Sequence, residues 1–224
     1  MAQFDRLTVY NTILADGMVP LFYHADTEVA CQVVTALTRG GSHVVEFTNR
    51  GDYAIEVFSA LTKFCRAELP AMIVGVGSVE DAATAALYAA HGANFVVGPT
   101  FSEEVARFCN RRKLAYMPGC GTLNDIARAE ELGAEIVKAF PGSAVGGPGF
   151  VKDVRGPRPW TRIMPTGGVT PEESNLREWF GAGVACVGMG SQLVRSDWTK
   201  SGEYHKIEAL TAETLALIKR IRSA

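Results

Sequence analysis

Seven lysines stand against fifteen arginines in this 224-residue chain, and one lysine is placed unlike the others. Lys63, Lys113, Lys152, Lys200, Lys206 and Lys219 fall in amphipathic or polar stretches where solvated charge is expected. Lys138 instead interrupts an apolar run, EIVKAF. An amine there can add to a carbonyl and form an imine, provided it is unprotonated. An ordinary lysine keeps only about 0.04% of its amine neutral at pH 7, so this chemistry requires a desolvated setting or a neighbouring cation. A snorkelling or ion-paired lysine at a strand end gives the same pattern, and spacing alone does not separate the two.

Glu46 is the counterpart, a carboxylate flanked by Val44, Val45 and Phe47. Burying it charged is costly unless it is paired. Lys138 or Arg50 is its natural cation, in a structural ion pair or in a general acid/base beside an imine. Arg50, four residues on, is placed either to hold a carboxylate bidentately or to lie solvated on the surface. Two glycine-rich turns, Pro165-Thr166-Gly167-Gly168-Val169-Thr170 and Gly188-Met189-Gly190-Ser191, let backbone N–H groups approach an anion. Thr166 and Ser191 add hydroxyl donors. A third turn, Gly75-Val76-Gly77-Ser78, is as well explained by structure alone. Cys120 reads as passive lining, and His24, His43, His91 and His205 form no metal-binding pattern.

The elements that must position these residues alternate along the chain. Short apolar runs at 18–23, 43–47, 71–76, 94–98, 114–118, 135–140, 161–165 and 184–188 read as strands, mostly continuous as buried parallel strands are. Helical patterns lie between them, opened by Asp26, Asp52 or Ser102 and stopped by glycine turns at 39–41, 91–93, 132–134 and 181–183. Eight such units, about 28 residues each, predict one domain over 1–224: an α/β (β/α)8 TIM barrel with an N-terminal flanking helix and a C-terminal amphipathic helix. A doubly wound sheet is the runner-up, but it usually carries a glycine fingerprint after its first strand. The catalytic face of a barrel is the carboxyl end of its strands, and the turns after strands seven and eight are its commonest phosphate site.

Composition narrows the function classes. With 22 basic and 24 acidic residues the formal charge is -2, which gives no field for nucleic acid or an anionic membrane. The dense basic cluster Arg107, Arg111, Arg112 and Lys113 reads as a solvated helix end. No apolar run has membrane length, and the start lacks the pattern of a secretory signal. Five widely spaced cysteines without a C-x-x-C read as reduced thiols, so a cytoplasmic location is expected.

The segments VVEFTNRG, VGVGSV, FVVGP, MPGCGT, EIVKAFPG, PTGGVT and CVGMGS, in this order and spacing, resemble the family of 2-dehydro-3-deoxy-phosphogluconate (KDPG) and 4-hydroxy-2-oxoglutarate (KHG) aldolases. The likeness runs from about Val19 to the final helix. It implies a class I, metal-independent lyase without cofactor, usually a homotrimer, acting on a small 2-keto acid. By the same resemblance Lys138 would form the imine with pyruvate and Glu46 would carry protons. Arg50 and Ser78 would hold the carboxylate, Pro99 and Phe140 would wall the pocket, and Thr166, Gly167, Gly168 and Ser191 would hold the phosphate. Tyr23 and Asn49 stand where other members often differ, Ser78 replaces the family's usual threonine, Ala139 an aromatic and Gly142 an alanine, which bears on the aldehyde half. The competing classes are a phosphate-binding isomerase or epimerase and a silent scaffold. The Lys138 and Glu46 pair separates the aldolase from both.

Overall fold

A computed structural model describes residues 2–223. Its elements are α1 (Arg6–Asp16), β1 (Met18–Phe22), α2 (Thr27–Arg39), β2 (Val44–Thr48), α3 (Ala54–Glu68), β3 (Ile73–Gly77), α4 (Ala82–Ala90), β4 (Phe95–Val97) and α5 (Glu103–Arg112). There follow β5 (Ala115–Met117), β6 (Gly119–Cys120), α6 (Leu123–Glu131), β7 (Val137–Ala139), α7 (Gly147–Arg155), β8 (Ile163–Pro165), α8 (Glu173–Gly181), β9 (Val187–Met189), α9 (Ser196–Ser201) and α10 (Tyr204–Ser223). The strands pair in parallel, in a six-stranded sheet ordered β5-β4-β3-β2-β1-β9 and a three-stranded sheet ordered β6-β7-β8. The order runs without the reversal that a doubly wound sheet requires. The fold is α/β, its parallel strands curled about one interior.

Two predicted strands are corrected. The run at 114–118 ends at Pro118, and a second short strand follows it at once. Pro118 has no N–H to give to a ladder. At that point the chain changes partners, since Gly98 N–H donates to Met117 O (3.2 Å) on one side and Lys138 N–H donates to Pro118 O (2.8 Å) on the other. The last strand occupies 187–189 rather than 184–188, because its pairing with β1 starts only at Val187 opposite Met18. The third helix also departs from expectation: Tyr53, at φ 60°, precedes Ala54, and Asp52 does not cap it.

Burial of both faces explains the continuous apolar runs. Along β2, Val44 faces the interior cluster while Val45 and Phe47 pack against the helices. The same period of two sorts Ile73 from Val74 and Val76, Phe95 from Val96, and Ile136 from Val137. Helix α1 contributes Val9, Tyr10 and Ile13 to that interior cluster, whereas the sequence reading only placed it alongside. The Tyr10 hydroxyl accepts from Tyr116 N–H (3.0 Å) and donates to Tyr116 O (3.1 Å). The glycine turns at the helix ends hold their left-handed residues at Gly41, Gly92, Gly133 and Gly183, with φ between 85° and 102°.

Candidate active site

Period-two alternation carries polar side chains inward at the carboxyl ends of the strands. Glu46 lies two residues beyond the interior Val44, Lys138 two beyond Ile136, and Thr166 two beyond Met164. Glu46 is 1% exposed and Lys138 5%. Neither takes part in an ion pair among the described residues. Lys138 Nζ lies 4.8 Å from the centre of the Phe140 ring. Both carboxyl oxygens of Glu46 are buried without a hydrogen-bond partner, as are the hydroxyls of Thr166 and Thr170. Those are four of the six orphaned side-chain atoms among the described residues. A native interior pairs most of its buried polar atoms, so these four mark where polar groups from outside the protein can be bound. Burial pushes the Glu46 carboxyl above its ordinary range, and Lys138 and Arg50 pull it partly back.

Space for Glu46 is made by a glycine on the neighbouring strand. A Cβ at Gly77 would fall well inside contact distance of the Glu46 carboxyl. Gly77→Ala is therefore expected to dislodge Glu46, lowering kcat by on the order of 10²-fold and stability by about 1–3 kcal/mol. Steady-state rates and urea midpoints check it; an unaltered kcat would show that this seat is dispensable.

A cavity of about 570 Å³ opens above the buried pair. Arg50, Phe140, Thr166, Gly167, Gly168 and Ser191 line it, so six of the sequence-predicted residues are brought together at its wall. Lys138 and Glu46 lie outside that wall, and Lys138 is connected to it through Phe140. Ser78 sits at φ 60° and its hydroxyl is 3.4 Å from Arg50 Nε, which donates to it. Pro99 is half-buried after β4 and does not reach the cavity wall. The glycine turn after β8 is clamped from behind. Gly168 O accepts from Asn175 Nδ2 (3.1 Å) and Trp179 Nε1 (3.4 Å), while Asn175 Oδ1 accepts from Thr170 N–H (2.9 Å). In a trans peptide the N–H points opposite to its carbonyl, so the Val169 N–H faces away from this clamp.

The family model for KDPG and KHG aldolases matches residues 9–210. The chain belongs to the KDPG and KHG aldolase family. It is therefore an aldolase, a lyase. The KHG/KDPG aldolase of Escherichia coli K12 is 31% identical over 93% of this chain and 95% of its own. The 2-dehydro-3-deoxy-phosphogluconate aldolase of Dickeya dadantii is 32% identical over 94% and 96%. Among solved structures, KDPG aldolase of Legionella pneumophila, captured with pyruvate as a covalent carbinolamine, superposes with TM-score 0.83 at 26% identity over 91% of this chain and 96% of that one.

The sequence reading of this aldolase missed part of the cavity. Tyr23, His24, Thr48, Gln192, Ser196 and Thr199 also line it. Tyr23 closes the predicted strand at 18–23 and His24 directly follows it, and that position at the carboxyl end was the available signal. Ser196 and Thr199 belong to the six-residue helix α9, too short to stand out by periodicity. No described helix is long and apolar enough to cross a membrane.

Proposed function

We propose that this aldolase cleaves 2-dehydro-3-deoxy-6-phosphogluconate to pyruvate and glyceraldehyde 3-phosphate through an imine on Lys138. The observation that carries the reading is a buried amine and a buried carboxyl, neither in an ion pair, at the carboxyl ends of β7 and β2 beneath a glycine-lined cavity. In this mechanism Lys138 Nζ adds to the C2 ketone and the carbinolamine loses water to give an iminium. The Glu46 carboxylate takes the C4 hydroxyl proton. The C3–C4 bond breaks with its electrons flowing into the iminium, which releases the aldehyde and leaves an enamine. Glu46 returns its proton to C3, and water then frees pyruvate and the amine. The iminium is the electron sink, so the proposal requires neither metal nor cofactor. Arg50 and Ser78 hold the carboxylate, Phe140 and Pro99 wall the reacting carbons, and Thr166, Gly167, Gly168 and Ser191 hold the phosphate.

The same proposal extends to architecture. A parallel bridge between Thr166 and Gly188 links the ends of β8 and β9, and only Pro118 separates β5 from β6. Both junctions support a closed (β/α)8 barrel in one domain. The homotrimer rests on family likeness, and equilibrium sedimentation tests it. Five free cysteines fit a cytoplasmic protein.

Borohydride reduction with pyruvate followed by peptide mapping is the deciding experiment. An adduct on the Lys138 peptide is expected, and its absence removes the imine mechanism in favour of an isomerase, epimerase or scaffold. Substrate order is set by steady-state rates. The phosphate cradle favours the phosphorylated acid, while the joint KHG/KDPG name of the Escherichia coli relative supports 4-hydroxy-2-oxoglutarate as the second reading. A higher kcat/KM for 4-hydroxy-2-oxoglutarate, or for the C4 epimer of the phosphogalactonate series, reverses the assignment.

A further inference from the structure

His24 follows β1 at the cavity mouth and lines the same cavity as Gly167, Gly168 and Ser191. Its ring is held by a local bond: Asp26 N–H donates to His24 Nδ1 at 3.0 Å. Asp26 O lies farther from the same nitrogen, at 3.4 Å, so the shorter amide contact favours Nδ1 as the acceptor and assigns the ring hydrogen of the neutral imidazole to Nε2. The imidazole thus has a fixed orientation and a donor whose position is set in advance. Among the described residues Nε2 has no hydrogen-bond partner.

Strand register sets the height of that donor above the buried carboxyl. Leu21 lies opposite Glu46 and β1 ends at Phe22, so His24 is three residues, at most roughly 10 Å of chain, beyond the level of the buried carboxyl. On the other neighbour, Pro20 lies opposite Met189, and both strands then run up into mouth loops, the one carrying His24 and the other carrying Ser191. His24 therefore stands above the level of the buried carboxyl, on the strand next to the one whose loop carries Ser191, and shares the cavity wall with Gly167, Gly168 and Ser191.

We propose that His24 is a specificity-determining residue whose Nε2–H donates to the terminal phosphate of the substrate. This rests on the aldolase reading above. It would make the β1 loop a third contributor to an anion cradle otherwise built from the loops after β8 and β9.

The test compares wild type with His24→Ala, His24→Asn and His24→Gln. Two quantities are read: the kcat/KM ratio for 2-dehydro-3-deoxy-6-phosphogluconate over its unphosphorylated counterpart, and the dissociation constant of inorganic phosphate. In the Ala variant the ratio is expected to fall about tenfold and the phosphate constant to rise about tenfold, as for one hydrogen bond to a charged group. Asn can accept from Asp26 N–H but has no donor at the Nε2 position, so it should behave as Ala does. Gln can place an N–H near that position and should recover most of both quantities. Equal losses on the two substrates with an unchanged phosphate constant would overturn the proposal. Pyruvate trapping on wild type is scored separately. Trapping with an unmoved phosphate constant sinks His24 alone, whereas failed trapping with a weakened phosphate constant sinks the imine and leaves the His24 contact standing.

Discussion

Lys138→Ala should lower aldol cleavage by on the order of 10⁴-fold or more, followed as pyruvate release, and should abolish the borohydride adduct. Losing a covalent nucleophile removes the whole imine route, so the residual rate is that of binding and orientation alone. The sharper form of this prediction is Lys138→Arg. Arginine keeps a cation beneath Phe140 and near Glu46 but has no free amine at accessible pH. If Lys138 serves only as a counter-charge, the Arg variant should retain most of the rate. If it is the nucleophile, both variants should be equally inactive. An active Arg variant would sink the mechanism even where the Ala variant is dead.

Glu46→Gln should reduce kcat by about 10²–10⁴-fold, the usual range for a positioned acid/base. Its second signature is exchange of the pyruvate methyl protons with deuterium oxide, observed by NMR. That exchange needs a group to remove the C3 proton from the imine, and it should fall in parallel with kcat while borohydride still traps pyruvate on Lys138. Stability should move in the opposite direction. Burial raises the Glu46 pKa above its unfolded value near 4.5. The folded protein therefore holds that proton to higher pH than the unfolded chain does, and wild type loses stability as pH rises from about 4.5 toward the folded pKa. Glutamine has no such dependence. Above that window the variant should be the more stable, by about 1.4 kcal/mol for every tenfold by which burial weakens the acid. Urea midpoints at pH 4 and pH 8 should therefore diverge, and equal differences at both would show that the carboxyl is not strained by burial.

The buried pair Lys138 and Glu46 was legible in the sequence for a physical reason. A charge inside a strand that is otherwise apolar on both faces must be paired, or be held for use, and Lys138 and Glu46 each break such a run. The alternation that points them inward could not be read from runs whose two faces are equally apolar; it emerged only when the interior cluster separated Val44 from Val45. Pro118 is only the last residue of an apolar run in the sequence, whereas in the fold it passes the chain from β4 to β7. Ser78 and Pro99 were reached through family likeness rather than residue chemistry, and Pro99 stands off the cavity wall. His24 escaped because the contact that holds its ring, Asp26 N–H to Nδ1, is made in a turn that no spacing rule encodes.

The glycines on the strands have a wider consequence. Gly77 makes the seat of Glu46 from the neighbouring strand, and Gly188 makes that of Thr166 across the bridge that joins the two residues. Each functional group and its glycine thus form a two-residue unit divided across strands distant in sequence. A single exchange at either member spoils the unit, so directed evolution starting from this floor meets a ruggedness that one-at-a-time libraries cannot cross. The floor also contains no side chain at those seats that could be trimmed to enlarge it. New aldehyde preferences should therefore be sought at the rim, around His24 and Gln192, where residues can be exchanged without disturbing the pair below.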